Sequence, residues 1–138
     1  MTVRAMMIGI CALFLAAAAP AGQALPGLTI LTGETWIFHI ENGQPAGARR
    51  ASPDSEPASG EIKVSLLRER GVTMIVTNKT EEHYAYRAFI SVKPNHKGNR
   101  AEICSLMPGS VTVETWPEGF PAIRLADFTE TPDPNEPC

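Results

Sequence analysis

Downstream of residue 24 the chain alternates apolar and polar residues in short runs separated by turn residues. Residues 61–69 set Ile62, Val64 and Leu66 against Lys63 and Ser65, and residues 72–77 repeat the pattern with Val72, Met74 and Val76. Successive side chains of a strand point to opposite faces, so this period of two marks half-buried strands. Residues 34–41 place Trp36, Phe38 and Ile40 on one face and Thr35, Ile37 and His39 on the other. Asn42-Gly43 follows, the pair that best tolerates the positive φ angles of a type I′ hairpin. Residues 44–51 can return as a weak strand, which Pro45 confines to a sheet edge.

Residues 83–93 alternate Tyr84, Tyr86, Ala88, Ile90 and Val92 with His83, Ala85, Arg87, Phe89 and Ser91. Residues 101–107 and 110–116 flank Pro108-Gly109 and read as a further hairpin, and residues 122–128 form a last short strand. Residues 52–60, 94–99 and 117–121 are loops rich in Pro, Gly and polar residues. No stretch carries a helical period. Seven or eight short strands with turn residues every eight to twelve positions predict an all-β, antiparallel domain. Two packed sheets or a small β-barrel would bury the apolar faces. An immunoglobulin-like β-sandwich is the preferred form, because the polar stretch 78–82 between two strong strands is where the chain would cross between sheets.

The first 24 residues break this pattern. Arg4 is followed by an apolar run of 14 residues, Met6 to Ala19, and then by small residues two apart at Gly22 and Ala24. A membrane-spanning helix needs about 20 residues, so the run reads as an N-terminal signal peptide, residues 1–24, cleaved before Leu25. Ile10 precedes Cys11 where a lipoprotein signal needs a small residue, so no lipid anchor is expected there. The short, Ala-rich signal suits a bacterium and directs the protein to the periplasm or the medium. The β domain then covers residues 25–128, followed by a Pro-rich tail, residues 129–138. No apolar stretch of the mature chain is long enough for a transmembrane helix.

Cysteine usage agrees with export. Cys11 leaves with the signal, and in an oxidising compartment the remaining pair, Cys104 and Cys138, is expected to form one disulfide. That bridge would tie the tail back to the domain and stabilise it by roughly 3–4 kcal/mol through chain entropy. The net charge is −3, or −4 without Arg4, and no basic block exceeds Arg49-Arg50. Nucleic acid is therefore a poor partner, since it needs a concentrated positive footprint. Asn78-Lys79-Thr80 is a glycosylation sequon that has meaning only in a eukaryotic secretory pathway, and it is read as coincidence.

The chain holds little that resembles catalytic machinery. His39, His83 and His96 with Cys104 and Met107 match the inventory of a blue-copper site, but no histidine follows Cys104 and no pair has close ligand spacing, so no metal or other cofactor is expected. The serines lie outside any Gly-x-Ser-x-Gly elbow, and Glu81-Glu82-His83 falls in a solvated turn. One stretch invites a binding role. Trp116 and Phe120 flank a proline-stiffened loop with Arg124 close behind, and such groups make partner-binding hot spots when exposed; otherwise they cap the core. The expectation is an exported, non-enzymatic β-module that binds a protein or another envelope macromolecule or supports an envelope assembly. The alternatives are a small hydrolase inhibitor, which needs residues 116–121 exposed, and a small-ligand carrier, which needs a deep apolar cavity.

Overall fold

A computed structural model describes residues 25–93 and 96–131. The signal expected at residues 1–24 lies outside the described residues, as do Cys138 and the rest of the tail beyond Thr131. Among the described residues there is no helix, and nine strands form two antiparallel sheets packed as a sandwich. Four strands make the first sheet: β1 (Leu28–Leu31), β9 (Ala122–Glu130), β6 (Tyr84–Ser91) and β7 (Asn99–Ala101), in that spatial order. The second has five, in the order β3 (Gln44–Ala51), β2 (Thr35–Glu41), β4 (Ile62–Leu67), β5 (Val72–Asn78) and β8 (Val111–Trp116).

The alternation read from the sequence produces the core. Phe38 of β2, Ile62, Val64 and Leu66 of β4, and Val72, Met74 and Val76 of β5 face Tyr84, Tyr86, Ala88, Ile123, Leu125 and Phe128 of the opposite sheet. Phe128 is the centre of the aromatic contacts. Its ring stacks on Tyr86 at 5.0 Å and meets Phe38 and Tyr84 edge-on, both at 6.0 Å. In β6 the alternation holds through Ala88 and then lapses, leaving Val92 exposed beyond the strand end.

The β2–β3 hairpin forms as expected, with Asn42 and Gly43 at φ 51° and 74° and Glu41 opposite Gln44. β3 is an edge strand, as Pro45 requires. The chain also crosses between sheets after β5, as the polar stretch 78–82 predicted. The loop 52–60 lies against the outer face of β4, where Lys63 Nζ donates to the carbonyls of Pro53 and Ser55 at 2.6 and 2.8 Å. Ile37, opposite Lys63 in the register, is buried on that same outer face.

Two expectations are corrected. The strand count rises to nine among the described residues because Leu28–Leu31, unassigned from sequence, forms β1 against β9. The hairpin expected from 101–107 and 110–116 does not exist. β7 ends at Ala101 and pairs with β6, whereas β8 pairs with β5 in the other sheet. Only Leu106 continues along the first sheet, through an isolated bridge to Tyr84. Pro108-Gly109 does bend the chain, but each flank finds a better apolar partner elsewhere.

The sandwich is closed along one flank and open along the other. On the closed flank the β2–β3 turn reaches β9: Phe128 N donates to Gly43 O at 2.7 Å, and Gln44 Nε2 donates to Asp127 Oδ1 at 2.8 Å. Asp127 adopts φ 55° where the β6–β9 register shifts, a bulge that turns this strand toward the hairpin. On the opposite flank β7 has only three residues, and the following segment runs irregularly beside β8.

Candidate functional site

The aromatic loop expected to bind a partner is built into the core. Phe120 is 6% exposed and meets Trp116 edge-on at 5.5 Å. Its carbonyl accepts the Thr32 hydroxyl at 2.7 Å. Arg124 is 5% exposed. Its guanidinium sits 4.2 Å from the centre of the Phe89 ring and donates to the carbonyls of Pro26 at 2.7 Å and Lys97 at 3.2 Å. Arg124 therefore joins three backbone segments, and its charge does not reach solvent. Of the trio only Trp116 keeps a surface face, lining a hollow of about 790 Å³ with Glu69, Arg70 and Pro117.

The histidines are not brought together. His39 faces Glu41 Oε2 at 3.2 Å, while His83 Nε2 lies 2.8 Å from Ser105 Oγ. Among the described residues no three His, Cys, Asp or Glu side chains gather as metal ligands. The Ser105–His83 contact was not visible from sequence, where 22 positions separate the two. It has the reach of a nucleophile–base pair, but among the described residues no carboxylate hydrogen-bonds to the ring to orient it. Its evident effect is to hold the segment after β7 against the start of β6.

The sequon residue also has a structural role. Asn78 is fully buried, and its Nδ2, the atom a glycan would take, donates to the carbonyls of Glu82 and Met107 at 3.0 and 3.1 Å. Its Oδ1 accepts from Thr80 N at 3.0 Å and Thr80 Oγ1 at 2.7 Å. The Asn-x-Thr spacing here builds an Asx turn at the sheet crossing.

The open flank carries a cleft of about 710 Å³, lined by Tyr86 of β6, Arg100 of β7, Glu102, Ile103 and Cys104 of the segment that follows, and Glu114 of β8. Alternation directs Glu114 inward, between the exposed Val113 and Thr115, and its Oε1 accepts the Cys104 amide at 2.7 Å. Tyr86 is 7% exposed, and its hydroxyl is buried without a hydrogen-bond partner. Burial, and then the Glu114 carboxylate, push the Tyr86 phenol well above its ordinary range. The site thus offers one unsatisfied donor, a guanidinium and two carboxylates. Sequence reasoning assigned Tyr86 to the core but could not see that its hydroxyl would be orphaned. Cys104, singled out from sequence as a disulfide partner, also lines this cleft, and its expected partner Cys138 lies outside the described residues.

The outer side of the same flank is apolar. Among the described residues, β8 has a strand neighbour on one side only. Its outward residues Val111 and Val113 are 61% and 56% exposed. The other edges are blunted, β3 by Pro45, Arg49 and Arg50, β1 and β7 by lengths of four and three residues. No helix among the described residues is long and apolar enough to cross a membrane. Comparison with protein-family models, with curated proteins and with solved structures finds no match.

Proposed function

We propose that this chain is an exported, non-enzymatic β-module of the periplasm or the extracellular medium that binds another macromolecule, a protein or an envelope component, along the free edge of its five-stranded sheet. The observation that carries this reading is β8, an edge strand without Pro, Lys or a bulge that exposes Val111 and Val113. Natural proteins usually protect such an edge, and partners add strands to those left open. The inhibitor reading is less favoured because Phe120 is buried and the loop presents no aromatic pair. A carrier is less favoured because charged side chains line the cleft. Within the sandwich class, the proposed likeness to immunoglobulin domains concerns the two-sheet layering and the crossing after β5. The connectivity differs, since β1 pairs with β9 and the consecutive strands β2 to β5 share one sheet.

A photo-crosslinking residue placed at Val113 tests the binding edge, with the same residue at the exposed Arg68 as control. In intact cells Val113 should give a discrete adduct with one partner and Arg68 none. Equal labelling at both positions, or none at either, would overturn the reading. Mass spectrometry of the envelope fraction should find a chain beginning at or near Leu25, and an intact Met1 would refute cleavage.

A further inference from the structure

The edge strand β8 presents two different faces. Outward it exposes Val111 and Val113, and inward it directs Glu114 into the cleft on the open flank. A strand added alongside β8 meets both, because its own side chains alternate between the same two faces. Residues directly opposite across such a pair stand about 5 Å apart, so one inward side chain of the added strand sits beside Glu114. The cleft there favours a cation. Glu102 and Glu114 bring two carboxylates against the guanidinium of Arg100. Glu114 engages the Cys104 amide through Oε1 and leaves Oε2 unengaged among the described residues. Neither Glu102 nor Arg100 forms an ion pair with another described residue. The Tyr86 hydroxyl, buried and without a partner, can accept a hydrogen bond as well as donate one.

We infer, resting on the reading of β8 as a binding edge, that the partner is a protein whose added strand carries a lysine between two apolar residues. The apolar residues lie beside Val111 and Val113, and the lysine ammonium enters the cleft against Glu114 Oε2, Glu102 and the Tyr86 hydroxyl. Lysine suits the site in two ways. Its four-carbon stem can lie along Ile103 while the charged head reaches the polar groups. Its three donors match three separate acceptors, whereas the planar fork of arginine is matched best by a carboxylate with both oxygens free. Pairing satisfies the Tyr86 hydroxyl, which is costly to leave buried and unbonded. A second copy of this chain is a poor occupant. β8 reads Val-Thr-Val-Glu-Thr-Trp and has no basic residue to offer, and two β8 strands in register set Glu114 against Glu114 or an uncharged residue.

The test titrates isotopically labelled protein, purified without reductant, with the peptide Ser-Thr-Val-Lys-Val-Thr-Ser and with a twin carrying norleucine in place of lysine. Norleucine keeps the apolar stem and removes the charge. Both peptides should shift the amide resonances of residues 111–116, and the lysine peptide should bind about tenfold more tightly, the scale of one well-placed charge pair. Glu114→Gln keeps an acceptor for the Cys104 amide but loses the charge. It should abolish the lysine advantage and leave the affinity for the norleucine peptide unchanged. Tyr86→Phe should reduce the advantage several-fold. An advantage that survives either substitution undiminished overturns the inference. Equal affinities of the two peptides for the parent protein also overturn it, while the edge reading stands because both still bind at β8. Binding of neither peptide overturns it as well, and the Val113 crosslink then decides the edge reading separately.

Discussion

Replacing Phe120 by alanine separates a core cap from a binding loop in one measurement. The substitution removes a phenyl ring that is 6% exposed and packs edge-on against Trp116 at 5.5 Å. It leaves the backbone carbonyl that accepts Thr32 in place. Phe→Ala at buried sites costs about 3–5 kcal/mol, from lost transfer energy and from the cavity left behind. The aromatic pair accounts for about 0.5–1.5 kcal/mol of that. A solvent-facing neighbour, Pro117, allows some collapse, which places the expected loss near the lower end, about 3 kcal/mol. For a domain of this size each kcal/mol shifts the midpoint by roughly 4 °C, so the variant should melt about 12 °C below the parent. Urea denaturation followed by circular dichroism should show a lower midpoint with an unchanged slope. Intrinsic Trp116 fluorescence should shift to the red in the native state as water reaches the indole. A loss below about 1 kcal/mol would refute the burial argument, because surface substitutions fall within that range.

Substitutions at three further positions probe other parts of the structure. Asn78→Ala should cost about 2–3 kcal/mol by urea titration, because it removes the amide that joins the turn at Glu82 to the carbonyl of Met107. Asn78→Asp should be worse at neutral pH and recover in acid, since its carboxylate would face those carbonyls; an Asp variant as stable as the parent at pH 7 refutes this. Arg124→Lys should cost about 1–3 kcal/mol despite keeping the charge, because a point ammonium cannot stack on Phe89 and also reach both Pro26 and Lys97. A thermal melt superimposable on the parent's counts against it. Glu61 is held down to about 2 by the Arg49 guanidinium and the Ala58 amide. Its contribution is therefore present above the ordinary carboxylate range and lost as pH falls toward 2; screening limits it to about 1 kcal/mol. The stability gap between parent and Glu61→Gln should close between pH 5 and pH 2, and a gap that persists at pH 2 contradicts the assignment.

The strands with strong alternation were legible because their partners share the same period. β4 and β5 declare their inner faces through Ile62, Val64, Leu66, Val72, Met74 and Val76, and Asn42-Gly43 fixes the β2–β3 turn by backbone sterics alone. Pairing was harder to read. Pro108-Gly109 signals a bend, but a bend does not say which strand lies alongside. The flanks went to opposite sheets because Leu106 is buried beside Tyr84 while β8 completes the row of β5. β1 escaped notice because four residues are too few to establish a period, and its burial depends on β9, nearly a hundred positions away. The cleft was invisible for the same reason. Tyr86, Arg100, Cys104 and Glu114 come from three strands and a connecting segment, and only the open flank brings them together. The aromatic loop shows the converse limit. Trp, Phe and Arg close together mark a hot spot or a cap, and burial alone decides between them.

The pairing of the first strand with the last has a mechanical consequence. β1 runs antiparallel to β9, with Leu28 opposite Leu125 and Leu31 opposite Ala122, so the entering and leaving chain segments emerge at the same end of the pair. A pull applied through those segments would strain the hydrogen bonds at Leu28 first and then release them one rung at a time. The domain is therefore geared to unzip at low force, whereas a shear geometry would load all the rungs together. If the chain is ever tethered at both ends in the envelope, β1 would be the first element to peel away, leaving the β9 edge exposed while the five-stranded sheet stays intact.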